Sequence, residues 1–321
     1  MKHLVAAGVL TTLCEHARSE NPGLRLNAMW ALKALVEGAD VDVKKHALEE
    51  LEPGWLVRLI LDDTEDDALH ARTQLRGQDA DEDEDMDVET PEDNNGAPTY
   101  PGSQSALRAA SPRVQRAERK VAALREAELS PTRKARNDDL AIQEQALTFI
   151  QNLLSLPSAP GEMVDYIFAE FGQDRFFDIL ASKLRVKVLH PFARKHAVGV
   201  DSRVLYPQAK VVAAVVYVLV NIAASIPKHR QLLILQTELL KLLSGHINSR
   251  DTDVRRAMCH LLSNLGEREG DADIPGGEQR ADELRRLGFL SKLEELEEKD
   301  SDLDVREKAK AAAWRIKAAS S

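Results

Sequence analysis

The chain has few aromatic residues, few cysteines and no run of alternating apolar and polar residues of the kind that forms strands. Aromatic side chains make up 4% of the 321 residues, and the two cysteines are Cys14 and Cys259. Two cysteines build no disulfide framework and suit a reducing compartment. Because helix-forming residues dominate, the sequence predicts an all-α chain.

Long hydrophobic runs and the common signatures of catalysis are also missing. The apolar stretches at 211–222 and 232–243 are too short to cross a bilayer, so we expect no membrane insertion. The sequence has no Gly-rich phosphate loop and no Gly-x-Ser-x-Gly, and its nine histidines are scattered, without metal-ligand spacing. We therefore expect no enzyme activity, no metal site and no cofactor.

Two local groups of reactive residue types have plainer explanations. Cys259 and His260 are adjacent, but neighbours on a helix point about 100° apart, so they do not form a nucleophile–base pair. Cys259 is better explained as a small buried apolar residue. A run of four glutamates is better explained as a solvated helix face than as a carboxylate site: Glu294, Glu295, Glu297 and Glu298.

What the chain does have is a helical phrase that recurs. At three places an asparagine follows a ring or hydroxyl residue by four positions, and at two more places the register continues without asparagine. A phrase that returns at intervals is typical of a repeat array that presents a long surface to a partner. The pairs are Thr148 with Asn152, Tyr217 with Asn221, His260 with Asn264, Trp30 with Ala34, and Ala311 with Arg315.

The spacing of these landmarks fits armadillo or HEAT repeats. Asn221 and Asn264 are 43 residues apart, within the roughly 40–47 residues of such repeats. A second landmark is a glycine before an apolar run, at Gly8, Gly54, Gly172 and Gly288. Glycine suits a tight turn between helices because positive φ angles cost it little. The larger gaps between landmarks then become insertions.

These landmarks predict three segments. Armadillo repeats occupy 1–63, with the first repeat partial, and an insertion occupies 64–137. Further repeats occupy 138–321, with a loop insertion near 185–207 and a capping repeat at the C-terminal end.

The first residues admit two interpretations. The stretch LVAAGVLTTLC superficially resembles a signal peptide. The better interpretation is that Gly8 fits the glycine-then-helix landmark seen again at Gly288. We therefore expect the chain to open inside a repeat, on its last helix, with an apolar end that a longer parent protein or a partner covers.

Charge is concentrated in the predicted insertion. Residues 79–93 hold ten acidic residues and no basic ones, which equals the net charge of −10 for the whole chain. The rest of the chain is neutral in sum, so no attraction to nucleic acid is implied. Residues 108–136 hold nine Lys or Arg against three Glu. We expect the acidic half to be disordered and 105–129 to be able to form a solvated helix.

The insertion also has two interpretations. It is either a tolerated surface loop, since long loops cost little closure entropy, or a regulatory arm. Ser111 and Ser130 each precede proline and lie beside basic residues, which makes them candidate phosphorylation sites. A phosphate there would offset the local positive charge.

The recurring asparagines have two interpretations as well. In the first, each asparagine caps a turn or bonds within the array, and each ring packs in the core. In the second, residues four apart share one helix face, so stacked repeats align rings and amides into a ladder. A side-chain amide has donors and an acceptor, so it can bond both backbone groups of an extended peptide. For the set as a whole we favour binding.

These phrases resemble armadillo repeats, in which the third helix lines a concave groove. More closely, they resemble the C-terminal half of the armadillo-repeat scaffold subunits of GID/CTLH E3 ubiquitin ligases, the Vid-type (vacuolar import and degradation) proteins of fungi. The resemblance covers nearly the whole chain outside the insertions and implies a right-handed α-solenoid of stacked repeats. It is carried by NPGLRLNAMWALKALV, DDLAIQEQALTFIQNLL, VVAAVVYVLVNIA, VRRAMCHLLSNL and RADELRRLGFLSKLEEL.

The resemblance also implies a non-catalytic role in regulated proteasomal degradation, in the cytoplasm and nucleus. Such a subunit bridges the ligase core subunits to an interchangeable substrate receptor and grips the receptor's C-terminal tail in the groove. Ala34 and Arg315 lack the amide, so the ladder should weaken at both ends. The groove residues implied by position are Trp30, Thr148, Asn152, Tyr217, Asn221, His260 and Asn264.

A second function stays open at this point. A general armadillo adaptor binds an extended peptide such as a nuclear import signal. It predicts an acidic groove and preference for Lys/Arg-rich peptides.

Overall fold

A computed structural model describes residues 8–62, 131–155, 161–189 and 203–319. Most of the predicted insertion at 64–137, with the predicted helix at 105–129, lies outside these ranges, and so does the middle of the predicted loop at 185–207. The candidate phosphorylation sites Ser111 and Ser130 also lie outside them. The described residues within 1–63 and 137–321 form one compact unit.

Within the described ranges the chain forms fourteen α-helices, which confirms the all-α class. They are α1 (Val9–Ala17), α2 (Pro22–Val36), α3 (Val41–Leu51), α4 (Pro53–Leu61), α5 (Pro131–Leu154), α6 (Glu162–Phe171), α7 (Gln173–Leu184), α8 (Ala209–Ala224), α9 (Pro227–Ile234), α10 (Thr237–Ser244), α11 (Thr252–Leu265), α12 (Ile274–Arg286), α13 (Phe289–Lys299) and α14 (Leu303–Ala318).

One small pair of strands departs from the helical prediction. Strand β1 (Lys187–Leu189) pairs antiparallel with β2 (Arg203–Leu205), and Lys187 lies opposite Leu205. The pair sits in the predicted loop insertion near 185–207. Three-residue strands are too short to show the alternation on which a sequence-based assignment depends.

The helices repeat in groups of three, as in armadillo proteins. The triplets are α3–α4–α5, α6–α7–α8, α9–α10–α11 and α12–α13–α14, and the last helix of each triplet is called its third helix below. Helices α1 and α2 take the second and third places of a preceding repeat. The described residues therefore begin on the second helix of a repeat, one helix before the expected last helix.

The glycine landmark marks the entry to the second helix of a repeat. Gly8, Gly172 and Gly288 precede α1, α7 and α13 with φ angles of 75°, 77° and 79°. In the remaining case Gly54 lies inside α4, and Glu52 takes the positive φ, at 68°. A side chain is strained in this region, which is why glycine is usual there.

Three of the third helices begin at capped positions, and third helices stack on one another. The side chains of Asn21, Asp251 and Asp302 accept hydrogen bonds from backbone N–H groups in the first turns of α2, α11 and α14. Helix α8 packs on α11, and α11 packs on α14. Eleven of the 16 residues of α8 are buried, so this helix lies in the core of the array.

Lys44 lies on α3 and is a fully buried cation that contacts the C-terminal end of the third helix α5. Its ammonium on α3 donates to three backbone carbonyls at the C-terminal end of α5: Asn152 O at 2.6 Å, Ser155 O at 2.7 Å and Leu153 O at 3.3 Å. The last carbonyls of a helix have no partner within the helix, so a buried donor there satisfies them.

Arg280 on α12 is likewise fully buried, at the end of α11. Its guanidinium donates to Leu265 O at 3.0 Å and Glu267 O at 2.7 Å, and it forms a bidentate pair with Asp273 at 3.0 and 2.7 Å. Burial alone would raise the pKa of Asp273, but the hydrogen bonds from Arg280 and from Glu269 N–H hold it below its usual range. A Cβ at Gly276 would lie 2.8 Å from Asp273 Oδ1, so only glycine leaves room for this pair.

We expect both thiols to be unreactive in the folded chain. Cys14 and Cys259 are fully buried, and burial together with nearby carboxylates raises the pKa of each to about 12. At pH 8, Ellman's reagent should modify neither thiol in buffer and both in urea, because the thiolate is the reactive species. An exposed control thiol, Ser301→Cys, should react at once. Rapid labelling of the folded parent chain would contradict the burial of these thiols.

Candidate partner-binding site

The seven predicted site residues all lie on third helices, and together they define what we call the third-helix face. The Trp30 side chain is 52% exposed, and the other six residues are partly buried, so each keeps some access to solvent. Their assignment to partner binding remains a prediction. The residues are Trp30 on α2, Thr148 and Asn152 on α5, Tyr217 and Asn221 on α8, and His260 and Asn264 on α11.

The three asparagines tie successive third helices together. Each amide Nδ2 donates to a backbone carbonyl of the preceding third helix, and the acceptor is always one residue before the equivalent register position. The bonds run from Asn152 to Lys33 O (3.0 Å), from Asn221 to Gln151 O (2.7 Å) and from Asn264 to Val220 O (3.1 Å). Bonding within the array, one of the two interpretations, is therefore what these groups do.

Part of each amide remains available. Lys33 O and Gln151 O also accept the N–H groups of Glu37 and Ser155 within their own helices, so the asparagine occupies the second lone pair. Within the described ranges, the structure records a bond for only one group of each of the three side-chain amides. The carbonyl oxygen and the second N–H remain for a ligand, so bonding within the array does not exclude the binding ladder.

Arg315 continues this contact where the asparagine is replaced. Its Nη1 lies 3.4 Å from Ser263 O and 3.2 Å from Glu267 Oε2. Ser263 again precedes the register position of α11 by one residue. The inter-repeat contact therefore persists on α14, while the amide acceptor is missing there as predicted, because a guanidinium only donates.

Trp30 is partly covered by a cation. The ammonium of Lys33 lies 3.6 Å from the centroid of the Trp30 ring, within the range of a cation–π interaction, and it also donates to Gln145 of α5. Burial lowers the pKa of Lys33, against the opposing effect of Glu144 and Glu37. One face of the ring is thus occupied within the chain, and the remainder of the ring is exposed.

Thr148 differs from the ring residues at the same register. Its hydroxyl donates to Glu144 O at 2.8 Å, one turn back on α5. Because the only hydroxyl proton is used, Thr148 can offer a partner only an acceptor.

Tyr217 and His260 share one set of charged neighbours. Burial, followed by Asp253, raises the pKa of Tyr217, and burial, followed by Lys308, lowers the pKa of His260. Both rings are therefore uncharged near pH 7. Arg256 and Asp304 influence both.

The charges around these rings are paired with each other. Arg256 contacts Asp304 at 2.6 Å and Asp253 at 2.5 Å, and Lys308 also pairs with Asp304. Sequence reasoning missed this network because its members come from α11 and α14, which are far apart along the chain. The charged residues here are therefore not a free acidic surface.

A hydrogen-bonded Ser–His–Asp series lies at the C-terminal end of α8. His229 is fully buried, with Nδ1 at 2.8 Å from Ser225 Oγ and Nε2 at 3.0 Å from Asp165 Oδ1. The order resembles a catalytic triad, yet Ser225 Oγ also lies 2.6 Å from Ile222 O, which requires its proton. The imidazole is thus not placed to take that proton, and the series joins α6, α9 and the end of α8.

Two further observations concern the described residues. Among them, no three or more His, Cys, Asp or Glu side chains are grouped as a metal site would require. None of their helices combines the length and the apolar character needed to cross a membrane.

Comparison with known proteins found one family model and several solved structures that are similar to this chain. A family model described as the VID28/GID5 C-terminal domain matches residues 117–265. A designed armadillo repeat protein in complex with the peptide (KR)4 is 13% identical, with 98% of this chain and 84% of that chain covered and a TM-score of 0.55. A structure of computationally designed armadillo repeat proteins for modular peptide recognition is 14% identical. The match covers 98% of this chain and 84% of that chain, with a TM-score of 0.53. No curated protein sequence shows significant similarity.

The structural similarity, at such low identity, shows the fold alone and confirms the armadillo-type solenoid. The family match confirms the resemblance to GID-type subunits that the repeated phrases indicate. Residues 117–265 are therefore similar to the VID28/GID5 C-terminal domain, and the chain folds as an armadillo-type α-solenoid.

Proposed function

We propose that the chain is a non-catalytic scaffold of a GID/CTLH-type E3 ubiquitin ligase, and that its third-helix face holds the C-terminal tail of an interchangeable substrate receptor. The family domain and the armadillo fold support a complex-forming role. The observation that carries the proposal is the set of three asparagines in register, each held by one bond and each with an acceptor and a donor left over.

The inter-repeat bonds prepare these amides for an extended peptide. Because one N–H of each amide is fixed to the preceding helix, the direction of the remaining N–H and of Oδ1 is fixed as well. An extended backbone presents N–H and C=O groups that such an amide can bond, without regard to the peptide's side chains. Little rotamer entropy is then lost on binding, which favours affinity.

The charges of this face support a receptor tail rather than a run of basic residues. The carboxylates beside Tyr217 and His260 are engaged by Arg256 and Lys308. Lys33, which covers Trp30, interacts with Glu144 and Glu37. A Lys/Arg-rich peptide would have to displace these cations. Uncharged rings between amides suit a tail of mixed composition, and we propose that binding takes place in the cytoplasm and the nucleus.

Replacing Asn221 and Asn264 together with alanine should weaken receptor binding about ten- to hundredfold. Each substitution removes up to two ligand hydrogen bonds of about 0.5–1.5 kcal/mol, and each 1.4 kcal/mol is a factor of ten. The measurement is affinity purification of the tagged full chain from cells of its own organism, with quantitative mass spectrometry. Receptor recovery should fall, while recovery of the RING-type core subunits and the helical circular dichroism should not.

The control separates binding from stability. Alanine also removes two inter-repeat bonds, so Ile247→Val, a buried change off the third-helix face, serves as a variant that loses about 0.5–1.5 kcal/mol. It should retain the receptor. Unchanged receptor recovery by the double alanine variant would refute the role of these residues. Preference for Lys/Arg-rich sequences on a peptide array would support the general import adaptor instead.

A further inference from the structure

Helix α14 carries an exposed stripe of four residues that the third-helix face does not include. Leu303 and Trp314 are 65% and 68% exposed, and they are eleven residues apart, about three helical turns, so they lie on one side of the helix. Glu307 and Lys310 lie between them and are exposed. Within the described residues neither has an ion-pair partner. We call Leu303, Glu307, Lys310 and Trp314 the α14 stripe.

The repeat register shows how the equivalent side of another third helix is packed. The equivalent residues of α8 are Ala209, Ala213, Val216 and Val220. The last three are 9%, 0% and 9% exposed, and α11 is a helix that packs on α8. The α14 stripe is thus a stacking surface. Two large apolar residues exposed together on such a surface indicate an interaction site.

The order of residues along the stripe selects its occupant. Leu303 and Trp314 are equidistant from the point between Lys308 and Ala309, and so are Glu307 and Lys310. If a second α14 lies antiparallel, its Trp314 meets Leu303 and its Lys310 meets Glu307. A two-fold axis makes every contact occur twice, as in isologous dimers. The stripe is therefore complementary to itself, because apolar residues meet apolar residues and opposite charges meet each other.

We propose that the α14 stripe binds the α14 stripe of a second copy of this chain, antiparallel, as a two-fold dimer. Two tryptophan–leucine contacts supply the apolar centre, and two Glu–Lys pairs fix the register. A single helix pair buries less than the roughly 1,200 Å² of a stable interface, so the dimer is weak, with a dissociation constant on the order of micromolar.

Sedimentation equilibrium of the full chain tests the proposal. The average mass should rise from 35.6 kDa toward twice that value as the concentration passes through tens of micromolar. Trp314→Ala should raise the dissociation constant about tenfold or more, since it removes both aromatic contacts. A parent chain that stays monomeric at about 200 µM overturns the proposal.

Charge reversal gives the sharper test. Glu307→Lys and Lys310→Glu should each weaken the homodimer about tenfold, because like charges then face each other. An equimolar mixture of the two single variants should form a heterodimer, since each places opposite charges against the other, and the double variant should recover the parent behaviour. Glu298→Lys, an exposed reversal on α13, should change nothing. All positions are exposed, so circular dichroism should be unaltered. A mixture that stays monomeric, or single variants that dimerise as the parent does, overturns the antiparallel arrangement.

Discussion

Replacing Arg280 with methionine is expected to lower the free energy of unfolding by about 3–5 kcal/mol. Methionine fills a similar space, yet it leaves Asp273 buried without its cationic partner and removes the donors to Leu265 O and Glu267 O. The loss of one partner from a buried pair is costly because the other charge stays desolvated. Urea unfolding at pH 7, followed by circular dichroism, measures the change.

The dependence on pH identifies the cause. In the parent chain the pKa of Asp273 is held low, so its pairing stabilises the fold at neutral pH, and this contribution is lost as the pH falls below the usual value near 3.8. In the variant the buried acid takes up a proton easily. The difference in the free energy of unfolding between the parent chain and the Arg280→Met variant should therefore become smaller as the pH falls from 7 to 4.

The control for this experiment is a surface arginine on the same helix. Arg286→Met breaks an exposed pair with Glu283 and should leave the free energy of unfolding almost unchanged, because exposed ion pairs contribute little. An equal decrease in the free energy of unfolding for Arg280→Met and Arg286→Met would show that burial of the ion pair does not determine its contribution to stability.

Replacing Lys44 with methionine should destabilise the fold by about 2–3 kcal/mol at pH 7. Three carbonyls at the end of α5 lose their shared donor, and each buried unpaired group costs about 1–3 kcal/mol, partly offset because the ammonium no longer has to be desolvated. Thermal and urea unfolding measure the loss. Lys45→Met is the matched control, since Lys45 makes a surface pair with Glu162 and should cost under about 1 kcal/mol.

The contribution of Lys44 should increase with pH. Burial lowers its pKa from 10.5 to about 8. Between these values the unfolded chain holds the proton that the folded chain has released, so stability rises with pH across this window. The two thiols act in the opposite direction, because their pKa values are raised to about 12 in the folded chain. At each pH, the free energy of unfolding of the Lys44→Met variant is subtracted from that of the parent chain, which isolates the contribution of Lys44. A contribution that stays constant from pH 7 to 10 would contradict the lowered pKa of Lys44.

The sequence predicted the parts of this molecule that depend on local spacing. The asparagine register placed Asn152, Asn221 and Asn264 on equivalent helices because one repeat dictates one helical phrase. The glycine landmark found the entry to second helices, and failed at Gly54 because Glu52 tolerates the positive φ there.

What the sequence did not predict depends on contacts between distant segments. The acceptors of the asparagines are backbone carbonyls, which every residue carries and no residue type marks. The pairing of Arg256 with Asp304 and the donation of Lys44 to α5 join residues about 50 and 110 positions apart. Such pairs become visible only when the helices are stacked.

The inter-repeat bonds of the asparagines have a mechanical consequence. An amide that is anchored to the preceding helix and also grips a bound backbone connects two repeats to one ligand. Several such amides along one tail would brace neighbouring repeats against bending. A bound tail would then reduce bending between neighbouring repeats. It would also narrow the range of distances between the segments at the two ends of the solenoid.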